Sequence, residues 1–360
     1  MSDELRSARL LRAAIGLDGP VEPEAADWSA WVALSVTERV LPQLVRAATT
    51  SPGLTDAQRE EAGRIALDVA GTVVQLEHDL LRVADVLDEA DIPFAVLKGT
   101  ATAHLDHPDP ADRQFGDVDL LVDPADLART GDALKAAGWR QAYRLPRDHD
   151  QFTHAVTFMG AGPTELDVHQ RIAHRALGRL VPTAELLAAR TGFELAGRPL
   201  HALSDADRLI HATLHAVTSR GAYQRLSSSV DVLVLAARLV SVAEDAIARS
   251  DGWRVGSIVE AGLRDAHRAA QVELPDAWAG ALTRPRPQRD RLVDRAYLSP
   301  RRRPLLEEAA HLRHLPNWSS RARYAGGYFV IDRTTASAGG RVGFRERARY
   351  LWSRVRQRSG

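Results

Sequence analysis

The sequence predicts an α+β protein: a small mixed β-sheet, N-terminal helices before it and a helical C-terminal half after it. Three observations carry this. Residues 93–98 and 116–122 are short apolar runs of strand length, and 139–145, 151–158 and 165–169 alternate as strands with few helices between them. Long stretches of helical period lie on either side.

Taken in order, residues 1–50 are expected to be helical. Leu5, Leu10, Leu11 and Ile15 recur in a first segment, and Trp28, Trp31, Val32, Leu34, Val40, Leu41 and Leu44 in a second, with Pro20 and Pro23 between them. Residues 49–53 form a loop, after which Thr55 or Asp56 can cap a long helix running to about Ala90. Ile65, Val69, Val73, Val74, Leu80, Leu81, Val83 and Leu87 give that helix an apolar stripe. Strand 93–98 leads into Gly99-Thr100 and a helical turn, then a polar loop from His104 to Arg113 and strand 116–122. Asp123-Pro124 opens a helix that ends at Gly138. A charged loop, residues 147–150, joins the next two strands. Residues 160–163 make a turn into the strand 165–169. From about residue 183 the reading is helical, with Ser204 and Asp207 capping one helix and Val230, Leu233, Val234 and Leu235 marking another. Arg284 to Arg303, rich in Arg and Pro, reads as an exposed connection, and Phe344 to Arg358 as a basic amphipathic helix or tail. The expected domains are a helical region over 1–90, an α+β core over 91–182, a helical domain over 183–283, and a connection with tail over 284–360.

Composition bounds the function. Hydrophobic content of 45% and charged content of 26% are those of a soluble globular chain. Formal net charge is zero, so the whole molecule carries no electrostatic bias toward nucleic acid or an anionic membrane. In the stretch 284–303 aspartates and prolines interrupt the arginines, which reads as a solvated surface rather than a nucleic-acid groove. There is no cysteine, hence no thiolate zinc site. The N-terminus lacks a signal-peptide pattern and no run of about 18 apolar residues occurs, so a cytoplasmic protein without a membrane segment is expected. Of the 47 basic residues only Lys98 and Lys135 are lysine, which makes Lys98, at the end of a strand, conspicuous.

The chemistry gathers in two places along the chain. In 116–122 strand alternation turns Asp117 and Asp119 to one face and Val118 and Leu120 to the other. Two carboxylates on one face of an apolar strand repel and resist desolvation, and a divalent cation relieves both costs. Asp167, on a nearby strand, supplies a third carboxylate. Three such groups can hold two Mg²⁺ ions, which activate an attacking oxygen and stabilise a leaving pyrophosphate in an in-line displacement. Gly99 and Thr100 follow a strand, where backbone approaches phosphate closely and N–H groups are available. Lys98 and Arg113 are the cations expected to meet triphosphate charge. His169 shares the face of Asp167 and is placed either to touch substrate and orient that acid or to close the core edge. His211 and His215 stand one helical turn apart without the remaining ligands of a zinc site, and are read as packing or acceptor-side polarity.

These residues resemble a known family. Leu97-Lys98-Gly99, Arg113, Asp117-Val-Asp119-Leu-Leu-Val122 and Leu166-Asp-Val-His169 are similar to the uncharacterised bacterial nucleotidyltransferases of the DNA polymerase beta-like superfamily. The likeness covers about residues 25–240, taking in the Trp-containing helices and the stretch His211 to Arg238 with His215 and Val230-Asp231. Lys-Gly-Thr stands where that superfamily has a Gly-Ser turn, and the gap to Asp117 is longer than its usual spacing. The resemblance implies a small mixed sheet with flanking helices and an enzyme moving a nucleoside monophosphate from an NTP, such as ATP, to an acceptor. It implies a Mg²⁺-binding pair at Asp117 and Asp119, with Asp167 as third carboxylate. No residue selects among ATP, GTP, CTP and UTP, and the acceptor is expected to be a small molecule or peptide rather than nucleic acid. The alternative is a catalytically inactive nucleotide-binding regulatory or toxin-partner protein.

Overall fold

The structure is a computed structural model that describes residues 1–17, 21, 23–142, 152–220, 225–285, 289–299 and 303–329. Four helices come first: α1 (Asp3–Ala14), α2 (Trp28–Glu38), α3 (Leu41–Thr50) and α4 (Asp56–Glu89). Then follow β1 (Phe94–Val96), α5 (Lys98–Asp106), β2 (Val118–Val122), α6 (Leu127–Ala136), β3 (Arg140–Gln141), β4 (Ala155–Met159) and β5 (Glu165–His169). Helices α7 (Arg175–Leu180) and α8 (Thr183–Ala188) lead to the hairpin β6 (Thr191–Leu195) and β7 (Arg198–Ala202). The described chain ends in helices: α9 (Asp205–Thr218), α10 (Leu226–Arg238), α11 (Ala243–Gly252), α12 (Gly256–Ala270), α13 (Asp276–Ala281), α14 (Arg291–Tyr297), α15 (Pro304–His314) and α16 (Trp318–Phe329).

The α+β expectation holds. Seven strands form one mixed sheet in the order β3-β4-β5-β2-β1-β7-β6. β2 runs antiparallel to β1 and parallel to β5, and β1 is parallel to β7. Alternation gives the sheet two apolar faces. Val118, Leu120, Val122, Val156, Phe158, Leu166 and Val168 pack under Leu76, Leu80, Val83 and Leu87 of α4. Ala95, Leu97 and Leu121 join the larger core built by the helices from α9 onward together with α1–α3. That second face carries Asp119 and Asp167, so the site lies between the sheet and the helical half.

Helix α4 starts as its sequence requires. Gln58 N donates to Thr55 Oγ1 at 3.3 Å and Thr55 N donates to Gln58 Oε1 at 3.0 Å, a reciprocal cap that satisfies two orphan donors. Its first half stands away from the core, leaving Leu67 and Val74 exposed, and its second half buries the stripe against the sheet.

Three expectations are corrected. The region after 183 is not uniformly helical, because β6 and β7 complete the sheet beside β1. Their turn places Ala196 at φ 49 and Gly197 at φ 83, the paired left-handed residues of a tight hairpin whose twist suits the strands. The stretch 284–303 is not merely an exposed connection: Asp290 accepts from Leu292 N and Val293 N, capping α14, which buries Val293, Ala296 and Tyr297. Of the strands expected over 139–145 and 151–158, the described residues show 140–141 and 155–159, the second shifted; residues 143–145 and 151 lie outside the described residues. The loop at 147–150 and the segment Phe344 to Arg358 lie outside the described residues. Among the described residues no single helix is long and apolar enough to cross a membrane. One pair bent by 81°, 226–238 with 240–252, passes on length and composition, and its first helix is packed in the core.

Candidate active site

Strand pairing assembles the carboxylates. β2 and β5 are parallel with Asp119 opposite Asp167, so two residues 48 positions apart become neighbours on one face. Asp117 lies in the bend just before β2, outside the ladder, and is near enough to feel the charges of Asp119, Lys98 and Asp167. Asp119 is buried, at 4% exposure, while Asp117 and Asp167 are half-buried. Lys98 Nζ donates to Asp119 Oδ1 at 3.1 Å, and His169 Nε2 meets the same oxygen at 2.6 Å. Thr157 Oγ1, from β4, donates to Asp167 Oδ1 at 2.5 Å.

The electrostatics are those of a site rich in negative charge. The charge of Asp119 and then burial push Asp117 up to about 6, against the pull of Lys98. Burial would raise Asp119 too, but the Lys98 charge and the hydrogen bonds from His169 and Lys98 hold it well below the ordinary carboxylate range. Burial disfavours the Lys98 ammonium, and the charges of Asp119, Asp117 and Asp167 outweigh that and raise it. One ammonium against three carboxylates leaves room for a further cation. Among the described residues, the group whose donor atoms could share one ion is Asp119, Asp167 and His169, all within 4.8 Å of one another. These donors, two carboxylates and an imidazole, fit a divalent cation.

Lys98 opens α5 at φ 25, a backbone conformation that side-chain-bearing residues avoid. Gly99 and Thr100 follow in the first helical turn, where N–H groups have no intrahelical acceptor and favour an anion. Gly99 has a second role that the sequence did not display. A Cβ there would lie 3.0 Å from Cβ and Cγ of Phe115, so the ring preceding the Asp pair packs directly on this backbone. Gly99→Ala is expected to cost about 1–3 kcal/mol, since Phe115 must shift and β2 moves with it. Chemical denaturation with an unchanged midpoint would refute that packing role.

Arg113 is brought to the site's edge with its charge already engaged. Its Nε and Nη2 donate to Asp231 Oδ1 at 2.5 Å and Oδ2 at 2.8 Å, a bidentate pair between the loop before β2 and helix α10. The charges of Asp117 and Asp119 also act on it, after that of Asp231. The same loop is held from the other side by Arg46, paired with Asp112, and by Gln43 Nε2 donating to Asp112 O at 2.8 Å. Asp231 and Arg113 are 118 residues apart, and no local pattern announces the pair.

Beside it, His107 is 5% exposed, and burial first, then Arg113, Arg46 and Arg238, pushes it down to about 4 against the pull of Asp231. Its folded value lies below the ordinary 6.5, so neutrality is a source of stability present above pH 6.5 and lost as pH falls through about 4. A depression of that size corresponds to roughly 3 kcal/mol. Urea midpoints should therefore drop between pH 6.5 and 4, and His107→Asn should flatten that slope; an identical slope in the variant would contradict the assignment.

Histidines are the other residues that pattern reading underweighted. His154 stacks at 3.5 Å on His174 and edge-on at 5.2 Å to His169. His211 and His215, on α9, face Lys98; His211 is 3% exposed, and burial pushes His215 down to about 3. Lys98, Thr102, Arg208, His211, His215 and Asp231 line a cavity of about 10 Å³ between α5 and the helical half, space for about one water. A larger cavity of about 370 Å³ is lined by Val156, Phe158 and Lys135, on the sheet face opposite the acids.

No curated protein matches. Among solved structures, the antibiotic-resistance factor ANT(2'')-Ia is 14% identical, with a TM-score of 0.36 over 55% of this chain and 96% of that one. An antigenic nucleotidyltransferase-like protein from Paracoccidioides brasiliensis is 18% identical, with a TM-score of 0.38 over 58% of this chain and 92% of that one. Both superpositions are too loose to bear on the site. Residues 24–271 match the model of a family described as uncharacterised nucleotidyltransferase, more than half of the chain. The chain belongs to that nucleotidyltransferase family.

Proposed function

We propose that the enzyme binds an NTP with Mg²⁺ at Asp117, Asp119 and Asp167 and transfers its nucleoside monophosphate to a hydroxyl of a small molecule or peptide. The observation that supports this most is the register of Asp119 against Asp167, with Lys98 Nζ 3.1 Å from Asp119 and Asp117 near enough to feel their charges. When bound, the metal would neutralise triphosphate charge and polarise the phosphorus to be attacked. The protein's own groups do the rest. Lys98 stands at the acids and supplies a point charge for phosphate oxygens, while the N–H groups of Gly99 and Thr100 open a helix toward them. Thr157 holds Asp167 Oδ1, fixing the carboxylate that receives the acceptor's proton. Arg113 remains with Asp231 and adds positive potential from the rim rather than a direct phosphate contact. The histidines of α9 facing Lys98 support acceptor recognition by the helical half.

The test is incubation of the purified chain with each α-labelled NTP and Mg²⁺, with candidate acceptors or lysate, read by pyrophosphate release and intact mass. Pyrophosphate with a labelled product supports the proposal. Thermal stabilisation by NTP without any pyrophosphate would replace it with a nucleotide-binding regulatory role.

A further inference from the structure

The donor set around Asp119 is not made of carboxylates alone. His169 lies two residues beyond Asp167 on β5, opposite Leu121 in the register, and is 3% exposed. Its Nε2 is 2.6 Å from Asp119 Oδ1, and it belongs with Asp119 and Asp167 to the group whose donor atoms fall within 4.8 Å. An octahedral ion with ligands at about 2.1–2.2 Å sets adjacent donors about 3 Å apart and opposed donors about 4.3 Å apart. The three side chains thus already stand near the spacing of ligands on one ion. We propose that His169 Nε2 is itself a ligand of the site's cation, and that the site consequently selects Mn²⁺ over Mg²⁺. This rests on the reading that the carboxylates hold a divalent cation.

Two observations favour ligation over a purely orienting hydrogen bond. Asp119 Oδ1 already takes the Lys98 ammonium, so the carboxylate has a charged donor without His169. The ring also packs edge-on at 5.2 Å to His154, a contact besides Asp119 that orients it toward the acids. Ligation at Nε2 leaves the proton on Nδ1, which is buried without a partner among the described residues, so the ion's binding must offset that cost. The selectivity follows from donor chemistry. Mg²⁺ favours carboxylate and water oxygens and sheds water reluctantly, whereas a nitrogen added to an oxygen set favours a transition ion. Mn²⁺ is the transition ion most at home among carboxylates.

The experiment uses the full chain and Mn²⁺ alone. Electron spin echo modulation of the bound ion should contain the signature of a directly coordinated imidazole nitrogen, absent in His169→Gln, whose amide can still donate to Asp119. Mn²⁺ affinity, read from the free-ion signal, should fall about 10–100-fold in that variant. Mg²⁺ affinity, read by competition, should change less than about twofold. Wild-type Mn²⁺ that binds without nitrogen modulation would overturn the proposal, and that spectrum decides the matter even where the variant fails to fold. Equal weakening of both ions in a folded variant would overturn it too. In either case Mg²⁺-dependent nucleotidyl transfer would leave the functional reading standing, whereas failure to bind either ion would remove both.

Discussion

Asp119→Asn is expected to lower nucleotidyl transfer by about 10³-fold or more while leaving the fold intact. Loss of one carboxylate at a metal site removes several kcal/mol of charge stabilisation, about 4 kcal/mol for that factor. Stability should fall modestly. Against burial, Lys98 and His169 hold Asp119 well below the ordinary carboxylate range, so its charge is net stabilising at neutral pH. Its loss also relieves the repulsion that pushes Asp117 up to about 6, which offsets part of that cost. Transfer of label from an α-labelled NTP, beside a thermal melt, checks both halves. A folded variant with wild-type turnover would sink the metal-site mechanism.

Asp231→Ala should be the most destabilising change near the site, by about 3–5 kcal/mol, because it leaves the Arg113 guanidinium desolvated and unpaired. Side chains of both partners are about one-tenth exposed, at 11% and 9%, so solvent screens them little. The pair also ties the loop before β2 to α10, and its loss should loosen the approach to Asp117. Restoring an apolar partner, as Arg113→Met in the Asp231→Ala background, should recover part of the stability. Urea denaturation of the two single variants and the double one measures the coupling. Additive losses would mean that the pair is not the clamp its geometry describes.

How much of this was legible depends on the range of the signal. Period-two alternation over 116–122 assigned Asp117 and Asp119 to one face, and the structure buries Val118 and Leu120 on the other. The Thr55 cap and the Ser204 cap were equally readable, since a cap lies within a few residues of what it satisfies. The hairpin β6–β7 was missed because Thr191, Glu194, Arg198 and Pro199 dilute its apolar alternation, as on an edge strand with one face in solvent. Tertiary pairing was out of reach altogether. Nothing near Arg113 predicts Asp231, and nothing near Gly99 predicts Phe115 against its Cα, because both contacts are made by the fold. His169 stood in plain view beside Asp167, yet only the parallel register set its ring against Asp119.

The central claim is that the acids of β2 and β5 form the site that holds the metal–nucleotide complex. Anomalous diffraction from crystals of the chain soaked with Mn²⁺ and a non-hydrolysable NTP tests it most directly. The account predicts an anomalous peak within coordination distance of Asp117, Asp119 and Asp167, with triphosphate oxygens toward Lys98 and the first turn of α5. Nucleotide and metal bound elsewhere, with those three carboxylates unengaged, would contradict it.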